Sequence, residues 1–301
     1  MLLNYTDAVQ KNCAASFRSI LFEKHWTRTS RCSIGKLTAD RGKIMEKTKD
    51  RKTIIKTDKL SKSFSVSGKQ YHIIKNLDLE IYDGDFTVIM GSSGAGKSTL
   101  LYALSGMDKP SLGHIDYSGR EITDMNNDQL AVFRRKHCGF VFQQIHLVDS
   151  MSIMDNAIST GMLTGQKQKD LRKKAAGLFE RVGISEEMTD KFPAQVSGGE
   201  AQRAAIVRAV INDPDVVFAD EPTGALNSAG VEAVLNVLTD INNAGQSVVM
   251  VTHDIKSARR ANRILYLEDG GIKGECHPGK YVSGDKKRHE MIRGFLEEMG
   301  W

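Results

Sequence analysis

From Thr53 onward, short apolar runs alternate with longer stretches of helical spacing. Residues 216–219 (VVFA) and 248–251 (VVMV) are unbroken, β-branched-rich runs, and residues 86–90 (FTVIM) are nearly so. Runs this short without polar alternation predict parallel strands buried on both faces. Residues 138–142 predict another short buried strand. Residues 75–81 (KNLDLEI) alternate apolar and polar positions and predict a half-buried strand, with a shorter one at 54–57. Tyr82-Asp83-Gly84-Asp85 reads as a turn. Residues 264–267 before Glu268-Asp269-Gly270-Gly271 read as a late strand and hairpin turn. Residues 145–194 change to helical character. Within them 171–182 form an amphipathic helix whose Arg172, Lys173 and Lys174 belong to a solvated face. Strand and helix in alternation predict an α/β fold. No internal repeat interrupts the order.

Between the strand at 86–90 and a helix starting near Ser98 lies Gly91-Ser92-Ser93-Gly94-Ala95-Gly96-Lys97-Ser98-Thr99. It fits the phosphate-binding pattern G-x-x-x-x-G-K-[ST]. Backbone N–H groups can surround a polyphosphate only where side chains do not block the approach, hence the glycines. Lys97 supplies a mobile positive charge for the outer phosphates, and Ser98 a hydroxyl for Mg²⁺. The helix N-terminus adds its partial positive charge.

Asp220-Glu221 follows the strand at 216–219, and ligands of parallel α/β sheets bind beyond the carboxyl ends of strands. Two adjacent carboxylates there can divide their work, Asp220 holding the metal ion and Glu221 accepting a proton from an attacking water. Val196-Ser197-Gly198-Gly199-Glu200 opens a further helix. Alone it is an ordinary serine N-cap beside glycines. In a chain that already holds one phosphate cradle, it predicts a second cradle serving the nucleotide of another copy.

These elements, over about residues 53–275, resemble the ATP-binding cassette (ABC) ATPases. Residues 91–99 resemble Walker A, Gln143 the Q-loop glutamine, and 196–200 the signature motif, with Val196 for the usual Leu and Glu200 for the commoner Gln. Asp220-Glu221 resembles the end of Walker B, and His253 the switch histidine. The resemblance implies a P-loop NTPase (RecA-like) core with an antiparallel β subdomain and a small α-helical subdomain at about 144–195. It places the ATPase domain at 51–280, with an extension at 1–50 and a tail at 281–301. ATP and Mg²⁺ are the implied ligands. Gly91, Ser92, Ser93, Gly94, Ala95, Gly96, Lys97, Ser98 and Thr99 would hold the nucleotide, and Ser197, Gly198, Gly199 and Glu200 would face it from the other copy. Ser98, Gln143 and Asp220 would hold the metal. Glu221, His253 and Gln143 would serve catalysis. An aromatic upstream of Walker A would stack on adenine, with Phe64 the first candidate and Tyr71 the second. Asn227 stands where Asp is more frequent in the D-loop, which bears on how hydrolysis at the two sites is coupled.

Gly139-Phe140-Val141-Phe142-Gln143-Gln144, Ala219-Asp220-Glu221-Pro222-Thr223-Gly224, Glu200 and the short helical lobe resemble cassettes paired with permeases for macrolide export, lipoprotein release and cell division. Residues 295–301 are similar to endings of cassettes that handle antimicrobial peptides. The resemblance implies a homodimer driving a separate membrane permease for antimicrobial peptides or lipid-linked substrates, peripheral on the inner face of the plasma membrane. Mechanical signalling across the membrane, including cell division, is the alternative. A nucleic-acid-linked cassette is another.

Charge bears on that last alternative. The 301 residues carry a net +5, but residues 1–60 hold 14 Lys/Arg against 6 Asp/Glu. The remainder therefore holds 28 basic and 31 acidic residues, so the main body is not basic and no nucleic acid is expected as partner. Residues 1–44, with 8 basic and 3 acidic residues, read either as a targeting segment or as an upstream extension before Met45. Cys13, Cys32, Cys138 and Cys276 make no C-x-x-C pair. No apolar run approaches the roughly 18 residues that span a bilayer.

Overall fold

The structure is a computed structural model, and residues 51–301 are described. The extension read at 1–50, with both interpretations of its origin, lies outside the described residues. Two sheets organise the rest. β1 (Thr53–Val66) and β2 (Lys69–Tyr82) form an antiparallel hairpin, joined in the order β2-β1-β4-β5 by β4 (Leu112–Tyr117) and β5 (Arg120–Glu121). Ser67 and Gly68 turn the hairpin with φ of 50° and 80°, the left-handed pair that suits a twisted two-residue turn. The periodicity at 54–57 and 75–81 revealed only the buried ends of these strands. Their other ends are mostly exposed on both faces and carry no alternation.

The second sheet runs β10-β9-β3-β8-β7-β6. β3 (Phe86–Met90), β6 (Cys138–Phe142), β7 (Val216–Asp220), β8 (Ser247–Val251) and β9 (Arg263–Glu268) are parallel. β10 (Gly271–Cys276) closes the edge antiparallel to β9. Successive side chains of a strand point to opposite faces, and both faces are covered. Val88 and Met90 enter one core with the helices, while Ile89 enters the other with the antiparallel sheet. This is why the apolar runs are unbroken.

The helices are α1 (Lys97–Leu104), α2 (Asn127–His137), α3 (Ile153–Met162), α4 (Gln168–Arg181), α5 (Glu186–Thr189), α6 (Gly198–Val210), α7 (Ser228–Asn243), α8 (Ile255–Ala258) and α9 (Lys286–Met299). α3 to α5 fall within the stretch read as a helical lobe, 144–195, and α4 covers all but the last residue of the amphipathic stretch read at 171–182. Gly161 lets α4 approach α3, because a Cβ there would lie 2.3 Å from Leu171 Cδ2. Asn156, buried in α3, accepts from the Val148 N–H at 2.7 Å and donates to the carbonyls of Val148, Met151 and Ser152. One amide thus shapes the loop between β6 and the lobe.

The stretch read as a tail, 281–301, packs on the core. Ile292 and Leu296 of α9 are buried. Arg288 donates to the carbonyls of Arg259, Ala261 and Gly279. The Arg260 guanidinium lies 4.3 Å from the centre of the Tyr281 ring, which Arg288 also approaches. Among the described residues, no helix is long and apolar enough to cross a membrane.

Candidate active site

The loop after β3 is pressed against its neighbours so closely that glycine is required. At Gly91, with φ 149°, a Cβ would lie 2.1 Å from the Leu267 carbonyl oxygen at the end of β9. At Gly96, with φ 96°, a Cβ would lie 2.7 Å from Ile73 Cγ2 of β2. Gly96 is the N-cap of α1 and offers no side chain to the helix, and the first turn holds no acidic residue. The free N–H groups and the positive end of the helix dipole therefore face outward for an anion.

Lys97 Nζ donates to the carbonyls of Gly91 at 3.0 Å and Ser92 at 2.8 Å. Burial pulls its pKa below the ordinary lysine value, and Glu221 and Asp220 oppose that pull. One turn on, Ser98 Oγ donates to Asp220 Oδ1 at 2.8 Å. Tyr102 donates its hydroxyl to the other carboxylate oxygen at 2.7 Å. Burial and that hydrogen bond raise the Tyr102 phenol to about 12. Sequence reasoning missed Tyr102. Its signal was available, since position i+4 from Ser98 shares the same helix face.

Asp220 ends β7, and Glu221 follows with φ 46°. The Glu221 N–H donates to Val251 O at 3.0 Å and its carbonyl accepts from the Gly224 N–H at 3.0 Å, which hold the bend. A left-handed conformation in a glutamate is costly unless its surroundings impose it. His253 lies beyond β8, the strand next to β7. Its Nδ1–H donates to Glu221 Oε1 at 2.8 Å. Phe142 pairs with Asp220 across β6 and β7, so Gln143 is delivered beside the carboxylates. Its amide lies against Gly224, where a Cβ would be 2.8 Å from Gln143 Nε2. Adjacent strand ends thus bring Lys97, Ser98, Gln143, Asp220, Glu221 and His253 to one side of the sheet.

Phe64 and Tyr71 face each other across β1 and β2, and both are exposed. Two residues from Phe64, Lys62 pairs with Ile74, whose Cδ1 would lie 3.1 Å from a Cβ on Gly96. Both rings therefore belong to the end of the hairpin nearest the loop.

The signature residues sit elsewhere. Ser197 caps α6, its Oγ accepting from the Glu200 N–H at 3.3 Å while Glu200 Oε2 accepts from the Ser197 N–H at 2.7 Å. Glu200 serves this reciprocal cap, and that hydrogen bonding holds its carboxyl below the ordinary range. Ser197, Gly198, Gly199 and Glu200 line a cleft with Arg203 and with residues of 225–230, and none of Gly91–Thr99 lines it. Asn227, read as the D-loop residue, caps α7 by accepting from the Gly230 N–H at 2.9 Å. Asn and Asp are about equally good at that task.

Gln202 also escaped sequence reasoning. It is 1 % exposed, and its Nε2 donates to Phe142 O at 2.9 Å and Pro222 O at 2.8 Å. One amide of the signature helix thus holds the residue before Gln143 and the residue after Glu221. No period or motif in the sequence marks it. Arg208 of the same helix donates to the carbonyls of Ile145, at 3.0 Å, and His146. A cleft of about 620 Å³ between α4 and the end of α7 is lined by Leu178, Val210, Pro214 and Ile241, and by none of these site residues.

The family model described as ABC transporter matches residues 74–224. The chain belongs to the ABC transporter family. It is 36% identical over 248 residues to the bacitracin export ATP-binding protein BceA of Halalkalibacterium halodurans, covering 82% of this chain and 96% of that one. It is 39% identical over 221 residues to the macrolide export ATP-binding/permease protein MacB 2 of Yersinia pestis, 73% of this chain but 32% of that one. The chain thus spans about a third of the length of the macrolide-export relatives it matches. Among solved structures it is similar to the ATP-binding cassette MJ0796 in a dimeric post-hydrolysis state bound to ADP and Pi. The TM-score is 0.69 at 35% identity, covering 74% of this chain and 98% of that one. The P-loop NTPase fold expected from the motifs is the fold of these ABC cassettes.

Proposed function

We propose that two copies of this chain bind two ATP molecules head to tail and hydrolyse them to drive a separate membrane permease. What carries the reading is a split within one chain. The strand-end cluster around Lys97, Asp220 and Glu221 lacks the signature residues, which line a different cleft. A second copy supplies the missing half, each nucleotide lying between Gly91–Thr99 of one copy and Ser197–Glu200 of the other. The dimeric cassette MJ0796 with ADP and Pi supports that arrangement.

A magnesium ion fits the donor set. Ser98 Oγ and Asp220 Oδ1 are hard oxygen donors 2.8 Å apart, and Gln143 is delivered beside them. Magnesium is commonly held by one or two such groups together with substrate phosphates. When bound, it supplies neutralisation of charge on the outer phosphates. The chain's own residues do the remainder. Lys97 exchanges the carbonyls of Gly91 and Ser92 for phosphate oxygens. Glu221 accepts the proton of the attacking water as the bond from the γ-phosphorus to its bridging oxygen breaks. His253 holds that carboxylate through Nδ1–H, which leaves Nε2 as an acceptor for a proton of the attacking water. Phe64 is the adenine platform and Tyr71 the second candidate. Closure requires the γ-phosphate, so the difference in dimer affinity between ATP and ADP states is the work available.

Names of relatives support the cargo class. Export of bacitracin, by BceA, and of macrolides, by MacB, suggests antimicrobial peptides or lipid-linked substrates moved through a permease. The chain would then be peripheral on the inner membrane face through that permease, with residues 1–44 dispensable for ATP hydrolysis. Glu221→Gln tests the core of the reading. Turnover is expected to fall by about 10²–10⁴-fold, the usual contribution of a general base, and the protein to elute as a dimer with uncleaved ATP. Near-normal turnover, or full-rate hydrolysis by a solitary chain, overturns it. For the partner, co-purification with a polytopic membrane protein is expected, and ATPase activity stimulated by DNA instead would sink the transport reading.

A further inference from the structure

Lys62 has no part in the motifs, yet its placement is specific. Its Nζ lies 5.0 Å from the centre of the Phe64 ring. It is held there by Asp108, at 2.7 Å from the carboxylate, and by the Lys109 carbonyl at 2.6 Å. The Lys62 side chain is 12% exposed and that of Asp108 41%. Most lysines on a strand reach into water and hold no fixed position. This ammonium is fixed over one face of an aromatic ring that is itself 42% exposed.

The anchor leads back to the phosphate site. Asp108 and Met107 donate their N–H groups to Tyr102 O, at 3.1 and 2.9 Å. Tyr102 is the residue whose hydroxyl meets Asp220. The helix that begins at the phosphate loop therefore ends by fixing the ammonium above Phe64.

We propose that Lys62 is a positioning residue for nucleotide recognition, held by Asp108 against one face of Phe64 so that the opposite face receives the adenine. The inference rests on Phe64 as the base platform. Physically, the ammonium acts in two ways. It locks the ring's rotamer before the ligand arrives, which lowers the ordering cost of binding. It also draws the ring's electron density toward itself through the cation–π contact. The far face is then a better partner for the electron-rich purine, whose stacking is disfavoured by repulsion between π clouds. Lys62 touches no phosphate in this arrangement, so its effect belongs to the base alone.

That property separates it from a mere brace between the hairpin and α1. The full chain is titrated calorimetrically with Mg–ADP and, separately, with Mg–pyrophosphate, which has phosphates and no base. Lys62→Met keeps the stem and removes the charge, and Asp108→Asn keeps the charge and loosens its anchor. Each is expected to raise the Kd for ADP by about three- to tenfold, the range of a partly desolvated cation–π contact. The Kd for pyrophosphate should stay within about twofold of the unaltered chain on the same ground. Lys62→Arg should restore ADP binding. Equal weakening of both ligands makes Lys62 a brace and overturns the proposal, as does an unchanged Kd for ADP. Phe64→Ala distinguishes the two levels. If it leaves ADP binding intact, the platform reading itself fails. If it weakens ADP binding while Lys62→Met does not, only the role of Lys62 fails.

Discussion

His253 Nδ1 lies 2.8 Å from Glu221 Oε1, on residues that follow neighbouring parallel strands. With the Nδ1 proton given to the carboxylate, a neutral imidazole presents Nε2 as an acceptor. If the pair acts as one unit, as proposed, the effects of its two members will not add. His253→Ala is expected to lower kcat by about 10²-fold in the unaltered chain, as for loss of a group orienting a general base. It should add little in a Glu221→Gln background. Steady-state rates for both single variants and the double variant check this; full additivity would place the two side chains in separate roles.

The split site predicts complementation. Lys97→Ala removes the phosphate cation of its own copy. Gly198→Asp would place a carboxylate where the proposal puts the other copy's phosphates, at a position where an added Cβ meets only Leu226 Cδ2, at 3.5 Å. Each variant alone is expected to be inactive. A mixture forms dimers in which one pocket combines Lys97 from one copy with Gly198 from the other. Activity on mixing that neither variant shows is the expected result, measured as ATP turnover against total protein.

Gln202 joins three elements through one amide. Gln202→Met leaves the Phe142 and Pro222 carbonyls without their shared donor while keeping most of the volume. The variant is expected to lose about 2 kcal/mol of stability, the cost of leaving two buried acceptors unmade. It should also lower kcat, because the chain on either side of Gln143 and Glu221 loosens. Urea denaturation followed by circular dichroism measures the first effect.

Tyr102 makes stability depend on alkaline pH. Burial and the hydrogen bond to Asp220 hold its phenol at about 12, above its ordinary value of 10.0. Between those values the unfolded chain loses the proton and the folded chain keeps it. The folded state therefore binds more protons, and stability falls as pH rises. This contribution is fully present below pH 10 and is lost as pH passes about 12. Tyr102→Phe is expected to flatten that part of the decline, read as the difference between the two proteins in denaturation midpoints at pH 9.5 and 11.5, about half a unit to either side of that window's lower half.

Much of the site was legible because its chemistry dictates local sequence. Only glycine fits at Gly91 and Gly96, where backbone meets Leu267 O and Ile73 Cγ2. A strand buried on both faces leaves an unbroken apolar run, so β7 and β8 announced where Glu221 and His253 would emerge. The outer halves of β1 and β2 were not legible, since they are paired by backbone hydrogen bonds and little by burial. The same applies to the C-terminal segment. That Arg288 is buried beneath Tyr281 depends on contacts with residues 259–261.

By itself, the order of residues determined the phosphate loop, the paired carboxylates and the parallel strands behind them, because each is set by neighbours along the chain. Tertiary structure decided the rest. It set Tyr102 and Ser98 on the same carboxylate, and put the signature residues in a different cleft from the loop they resemble in chemistry. Those outcomes depend on which distant groups come within about 3 Å of one another. Hydrogen bonding acts only at that range, and the linear sequence carries no record of it.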